Sequence, residues 1–183
     1  MNNTYLILAV VLIIAGFSWY LYNSIIVAKM RVSEALSQID VQLKRRTDLI
    51  PNLVETVKGY AKHEKELFEK VTQARSSLVS AQGPTEKAQA NNQLSQTLKS
   101  IFAVAEAYPD LKASQNFMEL QEEVSDTENK IAYARQFYNS IVLNYNAKLQ
   151  VFPNMLFAKV LNFKEAEFFG TTEAEKQPVK VSF

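Results

Sequence analysis

A chain of 183 residues suffices for one modest domain, less any part that lies in a membrane. Its 20 Lys and Arg nearly balance 19 Asp and Glu, so the charge gives no reason to expect nucleic acid as a partner. The lack of cysteine excludes disulfides and thiolate chemistry, and the single histidine, His63, excludes sites that need two imidazoles. We therefore expect no catalysis, no metal and no other cofactor.

Residues 1–28 are predicted to be a transmembrane anchor. This stretch has no charged side chain, and its apolar run from Thr4 to Val27 exceeds the length of about 20 residues that spans a bilayer as a helix. It lacks the basic start and small-residue cleavage site of a signal peptide. Lys29 and Arg31 follow the span, so the positive-inside rule predicts that the C-terminal part lies in the cytoplasm.

Apolar residues then recur in two interleaved series with a spacing of seven, between Val32 and Leu78. This spacing places one narrow stripe along a single helix. We expect a rod over residues 29–82 that continues from the anchor, bends at Pro51 and ends before Gly83-Pro84. Its membrane-proximal stripe consists of Val32, Leu36, Ile39, Leu43, Arg46, Ile50, Leu53 and Val57.

Three more helices are predicted over residues 85–107, 112–150 and 154–162, with breaks at Tyr108-Pro109 and Phe152-Pro153. Residues 163–183 are expected to form an extended tail, in which Val179-Lys180-Val181 could pair as a short strand. The predicted fold is all-α. One N-terminal transmembrane helix continues into a long antiparallel helical bundle, residues 29–162, of three long helices and a short fourth.

The lengths of these helices leave the membrane-proximal stripe without a partner. The second helix descends roughly 35 Å from the top of a rod that is roughly 80 Å tall. Either the C-terminal tail or neighbouring copies of the chain must cover the stripe. We expect a homo-oligomer that assembles through it.

Two charged clusters are candidate binding surfaces. Lys44 and Arg45, next to Arg46, could bind anionic lipid or an acidic partner, or could form a solvated helix face with Arg46 extended along it. Glu119, Glu122 and Glu123 begin an acidic run that could dock another membrane protein. The predicted heights place this run tens of ångströms above Arg46, so no pairing between the clusters is expected.

Two Tyr-Asn pairs, Tyr138-Asn139 and Tyr145-Asn146, repeat with a spacing of seven on the longest predicted C-terminal helix. Both asparagines therefore lie on one face of that helix. We interpret them as a buried hydrogen-bonding layer.

Several segments together resemble the signature of the LemA family: 39–61, which contains Leu49-Ile50-Pro51-Asn52, then Tyr108–Ala113, Thr127–Ala132, both Tyr-Asn pairs and Phe152-Pro153. They occur in the expected order along the whole chain. The departures are minor, such as Thr47 where alanine is usual. The family-motif residues that we expect to be structural are Asp48, Pro51, Asn52, Glu128, Asn129, Lys130, Arg135, Asn139, Asn146 and Pro153.

The resemblance implies a bacterial membrane protein with one N-terminal helix and a long helical bundle, and it transfers no catalytic residue. We expect this membrane to be the bacterial inner membrane. The family also includes a protein of the magnetosome membrane, which suggests a role in membrane organisation. We expect a self-associating scaffold in contact with the lipid bilayer. The alternatives are an adaptor that docks a membrane protease or signalling protein and an unrecognised hydrolase.

Overall fold

The structure is a computed structural model that describes residues 2–170, with side chains from Thr4 onward. Its six helices are α1 (Asn2–Lys58), α2 (Lys65–Ser80), α3 (Gly83–Ala105), α4 (Pro109–Lys112), α5 (Gln115–Gln150) and α6 (Asn154–Val160). The all-α fold with one long N-terminal apolar helix is confirmed. Residues 171–183, with the expected strand at Val179–Val181, lie outside the described residues.

Helix α1 joins the apolar N-terminal segment to the bundle without interruption. Its 57 residues extend for about 85 Å. All side chains from Thr4 to Phe17 are exposed. By length and composition, the N-terminal part of α1 contains an apolar stretch that could cross a membrane. From Leu21 onward, one face of α1 is buried by other parts of the chain. The same helix is therefore a candidate membrane span and a core element of the bundle.

The prediction of one rod over residues 29–82 is wrong, because the chain reverses between Lys58 and Lys65. The seven-residue series continues through this turn, but its members there are Tyr60, which is exposed, and Glu64. Gly59 also lies in the turn, where its low helix propensity favours a break. The seven-residue period does not reveal this break, because two antiparallel helices can have the same period as one continuous helix.

This reversal makes a bundle of four long helices rather than three, with α1, α2, α3 and α5 running alternately up and down. Helix α5 packs along α1 in the opposite direction, so that Tyr145 and Leu149 reach Ile25, at the C-terminal end of the predicted anchor. The 36 residues of α5 are about 54 Å long. This length is sufficient to cover the part of α1 that the predicted three-helix arrangement left open.

The structure accordingly removes the basis for assembly through the membrane-proximal stripe. Six of its residues are buried within the single chain, and Val32 and Leu36 are half-buried against the same core. The element of the chain that covers it is mainly α5. The stripe is therefore packed against the chain's own helices and does not form an open surface.

Pro51 lies inside α1 and has a specific consequence for the packing of α2. Proline has no N–H, so the carbonyl oxygen of Thr47, four residues earlier, loses its usual helix donor. Arg75 of α2 supplies a donor instead, with its Nε at 2.8 Å from the Thr47 oxygen. The proline thereby creates an acceptor within α1 that fixes the position of α2.

We predict that this bond depends on the proline. Arg75→Met should lower the free energy of unfolding by about 1–3 kcal/mol, because it leaves a partly buried carbonyl without a donor. In a Pro51→Ala background, the amide of residue 51 can bond to the Thr47 carbonyl. Arg75→Met should then lower the free energy of unfolding by about half as much or less. A double-mutant cycle of urea unfolding measures the difference. Equal costs in the two backgrounds would contradict this account.

Candidate functional site

The centre of the bundle contains a fully buried charge, that of Arg46, with 0% of its surface exposed. Its Nη1 donates to Asn91 Oδ1 of α3 at 2.9 Å, and its Nη2 lies 3.4 Å from Glu128 Oε2 of α5. Burial lowers the pKa of Arg46, and the charge of Glu128 opposes that shift. Because a buried charge is costly unless it is paired, these contacts hold three helices at one level.

The prediction that Arg46 and the acidic run would not pair is wrong. Arg45 lies beside Arg46 on α1, and its guanidinium contacts Asp126 at 3.2 Å and Glu123 at 3.9 Å. Asp126 also accepts a hydrogen bond from Lys130, which contributes most to lowering the pKa of this carboxyl. The predicted heights of Arg46 and the acidic run along the bundle were wrong because the chain reverses after Lys58. This reversal places the start of α5 at the top of the bundle, beside the end of α1.

The proposed basic lipid-binding cluster does not fit this geometry. Lys44 pairs with Asp48 one turn away at 2.8 Å, and Arg45 faces the carboxylates of α5. Lys44 is 16 residues beyond Ala28, the predicted end of the anchor, which corresponds to about 24 Å along the helix. These side chains contact protein groups at a distance from the predicted membrane surface.

A groove of about 730 Å³ lies between α3 and α5. Its lining is rich in amide side chains, those of Asn91, Asn92, Gln96, Gln136 and Asn139, and includes the charged residues Lys99, Glu128 and Arg135. Among residues 2–170, no three His, Asp or Glu side chains come together as a metal site would require. The groove is suited to hydrogen bonding with polar or extended ligands.

Phe169 of the C-terminal segment also lines this groove, and two asparagines of α5 hold that segment. Asn146 Nδ2 donates to the carbonyl of Ala166 at 2.9 Å, and the Ala166 amide donates back to Asn146 Oδ1 at 2.8 Å. Asn139 makes the same pair of bonds with the backbone of Phe169, at 3.2 and 2.8 Å. Each side-chain amide thus satisfies both polar groups of one residue in an extended chain.

The tyrosines that precede these asparagines contact the same segment. The hydroxyl of Tyr145 donates to the carbonyl of Lys164 at 3.1 Å, and that of Tyr138 donates to the carbonyl of Glu167 at 2.8 Å. Burial raises the pKa of both phenols, and the charge of Glu167 raises that of Tyr138 further. The Tyr138 ring also packs edge-on against Phe169.

The seven-residue spacing on α5 matches a three-residue spacing in the bound segment. Seven helical residues rise roughly 10.5 Å, and three extended residues span about 10 Å. Successive Tyr-Asn pairs therefore meet successive residue triplets, from Lys164 to Ala166 and from Glu167 to Phe169. We call these four α5 side chains and the segment that they hold the Tyr-Asn clamp.

Gly170 ends the described part of this segment, in a conformation that suits glycine. Its φ is +72°, and a Cβ here would lie 3.3 Å from Ala88 Cβ and 3.4 Å from the Arg135 guanidinium. A side chain would therefore be strained in backbone conformation and crowded by its neighbours. The glycine lets the chain pass closely between α3 and α5.

The interpretation of the Tyr-Asn pairs as a buried hydrogen-bonding layer agrees with the structure, since Asn146 is buried and Asn139 is half-buried. The sequence did not identify the partner, because an extended tail has no periodicity to mark it. The sequence also did not identify Asn91, which accepts a hydrogen bond from Arg46, or Arg75, which donates to the Thr47 carbonyl. The other family-motif residues are mostly exposed: Asp48, Pro51, Asn52, Glu128, Asn129, Lys130 and Arg135 are exposed, and Pro153 is half-buried.

The fold and site define a class: an all-helical protein in which a candidate N-terminal membrane helix continues into a four-helix bundle with a buried arginine and a backbone-binding clamp. The model of the LemA family matches residues 35–183, most of the chain, so this chain belongs to the LemA family. The resemblance to that family is therefore confirmed.

Curated relatives extend over most of the chain. Protein LemA of Metamycoplasma hominis is 27% identical over 172 residues, which cover 91% of this chain and 78% of the relative. Magnetosome protein MamQ 2 of Paramagnetospirillum magneticum is 23% identical over 184 residues, 86% of this chain and 68% of the relative. Magnetosome protein MamQ of Magnetospirillum gryphiswaldense is 22% identical over the same shares.

We predict that Asn146→Ala releases the middle of the clamp. It removes two hydrogen bonds, which should cost about 1–3 kcal/mol of local stability, and hydrogen exchange at the Ala166 amide should accelerate accordingly. Gln150→Ala is the matched control. It removes the exposed bond from Gln150 Nε2 to Glu165 and should leave the Ala166 amide protected. Unchanged exchange at Ala166 in Asn146→Ala would refute the role of the clamp.

Proposed function

We propose that this protein is a membrane-anchored helical scaffold that self-associates and organises membrane or partner proteins, acting by binding and without catalysis. The observation that carries this proposal is the continuity of α1 from its exposed apolar part to the buried arginine. A continuous helix transmits the position of the anchor to the bundle rigidly, as a scaffold requires. The relatives named as magnetosome proteins support a role at membranes.

We place the anchor in a bacterial inner membrane with the bundle in the cytoplasm. Lys29 and Arg31 follow the apolar segment in sequence, and α6 brings Lys159 to the same end of the bundle. Cationic residues beside a span favour the cytoplasmic side. The packing of α6 therefore adds to the charge bias that the sequence shows.

An exposed aromatic surface is our candidate for self-association. Tyr133 and Phe137 lie one turn apart on α5, and with Val41 of α1 they line an open groove of about 440 Å³. All three side chains are exposed. Because aromatic residues are enriched at protein interfaces, this surface suits a second copy of the chain better than the buried stripe does.

We expect the double variant Tyr133→Ser/Phe137→Ser to reduce the mass of the full-length protein in mild detergent, measured by light scattering, without lowering its melting temperature. Leu143→Ser replaces another exposed residue of α5 and is the control that should keep the wild-type mass. Ile39→Ala, in the buried stripe, should instead cost about 2–5 kcal/mol of folding stability.

Two results would count against the scaffold. One is a monomeric wild-type protein well above micromolar concentration in detergent. The other is an oligomer whose mass the Tyr133/Phe137 variant leaves unchanged, which would remove the aromatic surface from the proposal.

The second candidate function is an adaptor for a membrane protease or signalling protein. Glu119 and Glu122 are exposed near the start of α5, whereas Glu123 lies near Arg45. The acidic surface available to a partner is therefore narrower than the sequence suggested. Glu122 is its exposed centre.

If the adaptor function is correct, Glu122→Lys should abolish recovery of the partner when the full-length protein is purified from membranes. Glu69→Lys, an exposed charge reversal on α2, should leave recovery intact. Quantitative mass spectrometry of the co-purified proteins provides the comparison. Equal recovery with both variants would reject docking through the acidic run.

A further inference from the structure

Exposed apolar side chains are concentrated in residues 151–161, which we call the basal segment. It consists of the Phe152-Pro153 turn, α6 and the residue that follows α6. Val160 is 83% exposed and Phe152 is 73% exposed. The exposed apolar residues of this segment are Val151, Phe152, Met155, Leu156, Val160 and Leu161. An apolar cluster of this density marks a contact surface.

The other face of the basal segment packs on α1 at the end of its exposed apolar part. Ala158 of α6 and Ile25 of α1 belong to one buried cluster with Tyr145 and Leu149 of α5. Just beyond α6, the ring of Phe163 lies 6.4 Å from that of Tyr22. These contacts fix the height of the basal segment at residues 22–25 of α1.

This height coincides with the expected surface of the membrane. The hydrocarbon core is about 30 Å thick, which needs about 20 helical residues. Counted from Thr4, such a span ends near residue 23. The part of α1 from Thr4 to Tyr20, which precedes the first buried residue, Leu21, is 17 residues long, or only about 25 Å. A bilayer that covers the whole span must therefore reach the level at which α6 packs.

The charged side chains around the basal segment complement those of a lipid headgroup region. Lys148, Lys159 and Lys164 lie in or beside the basal segment, where Glu165 is the single acidic residue between positions 148 and 165. Lys29 and Arg31 follow on α1. Lysine side chains next to apolar residues are typical of segments that lie in the membrane interface.

We propose that the basal segment is a second membrane contact, with its apolar side chains in the headgroup and acyl boundary of the leaflet where α1 leaves the bilayer. Its ligand is the lipid surface itself. With α1 as one attachment point and α6 as another, the bundle is held at a fixed rotation about the anchor. This contact requires neither self-association nor a protein partner.

The absence of cysteine allows one fluorophore to be placed at a chosen site of the full-length protein. Leu156→Cys and Val160→Cys probe the basal segment. Leu143→Cys is the near control, since it is exposed on α5 seven residues before the end of that helix, about 10 Å away. Val79→Cys, exposed on α2, is the distant control.

Each labelled protein is reconstituted into vesicles of phosphatidylcholine and phosphatidylglycerol, with and without lipids that carry a nitroxide on the acyl chain. We expect quenching at both basal positions to be several-fold stronger than at Leu143, with none above background at Val79. Circular dichroism establishes that each variant is folded. If folded variants show no stronger quenching at Leu156 and Val160 than at Leu143, the membrane contact is refuted.

Discussion

The burial of Arg46 is the constraint on which the arrangement of the bundle depends. A guanidinium with none of its surface exposed must find partners inside the protein, and here they come from Asn91 of α3 and Glu128 of α5. This requirement sets the relative height of three helices. The neighbouring pair between Arg45 and Asp126 reinforces the same register at the surface. Apolar packing alone would favour the contact between helices without fixing their axial positions.

A second group of interactions links the end of the chain to the same helices. The four α5 side chains of the Tyr-Asn clamp hold residues 164–169 by hydrogen bonds to their backbone, and the buried ring of Phe169 adds a side-chain contact with Tyr138. Phe169 and Gly170 then carry the segment to the groove between α3 and α5. The clamp, the groove and the buried arginine thus form one continuous region, with α5 common to all three. This region contains four of the family-motif residues, Glu128, Arg135, Asn139 and Asn146.

The proposed self-association and the proposed membrane contact both use apolar side chains that the bundle leaves exposed. Its interior is closed, because α5 covers the stripe that would otherwise invite assembly. Within residues 4–170, exposed apolar side chains cluster in the N-terminal part of α1, in the basal segment and at the aromatic surface of Tyr133 and Phe137. The first two lie at one end of the bundle, where lipid is the expected neighbour, and the third lies on its side, where another protein copy can reach it. Location therefore distinguishes lipid contact from protein contact.

The sequence by itself determined the elements that depend on local pattern. The apolar run from Thr4 to Val27, the helical periodicity and the breaks at Gly83-Pro84 and Phe152-Pro153 all predicted structure that the chain has. The Tyr-Asn repeat likewise predicted a shared face. Only the tertiary structure decided the reversal after Lys58, the pairing of Arg46 and the partner of the two asparagines. A seven-residue period specifies which face of a helix is buried but not which helix covers it, and hydrogen bonds across 20 to 82 residues of sequence leave no local signal.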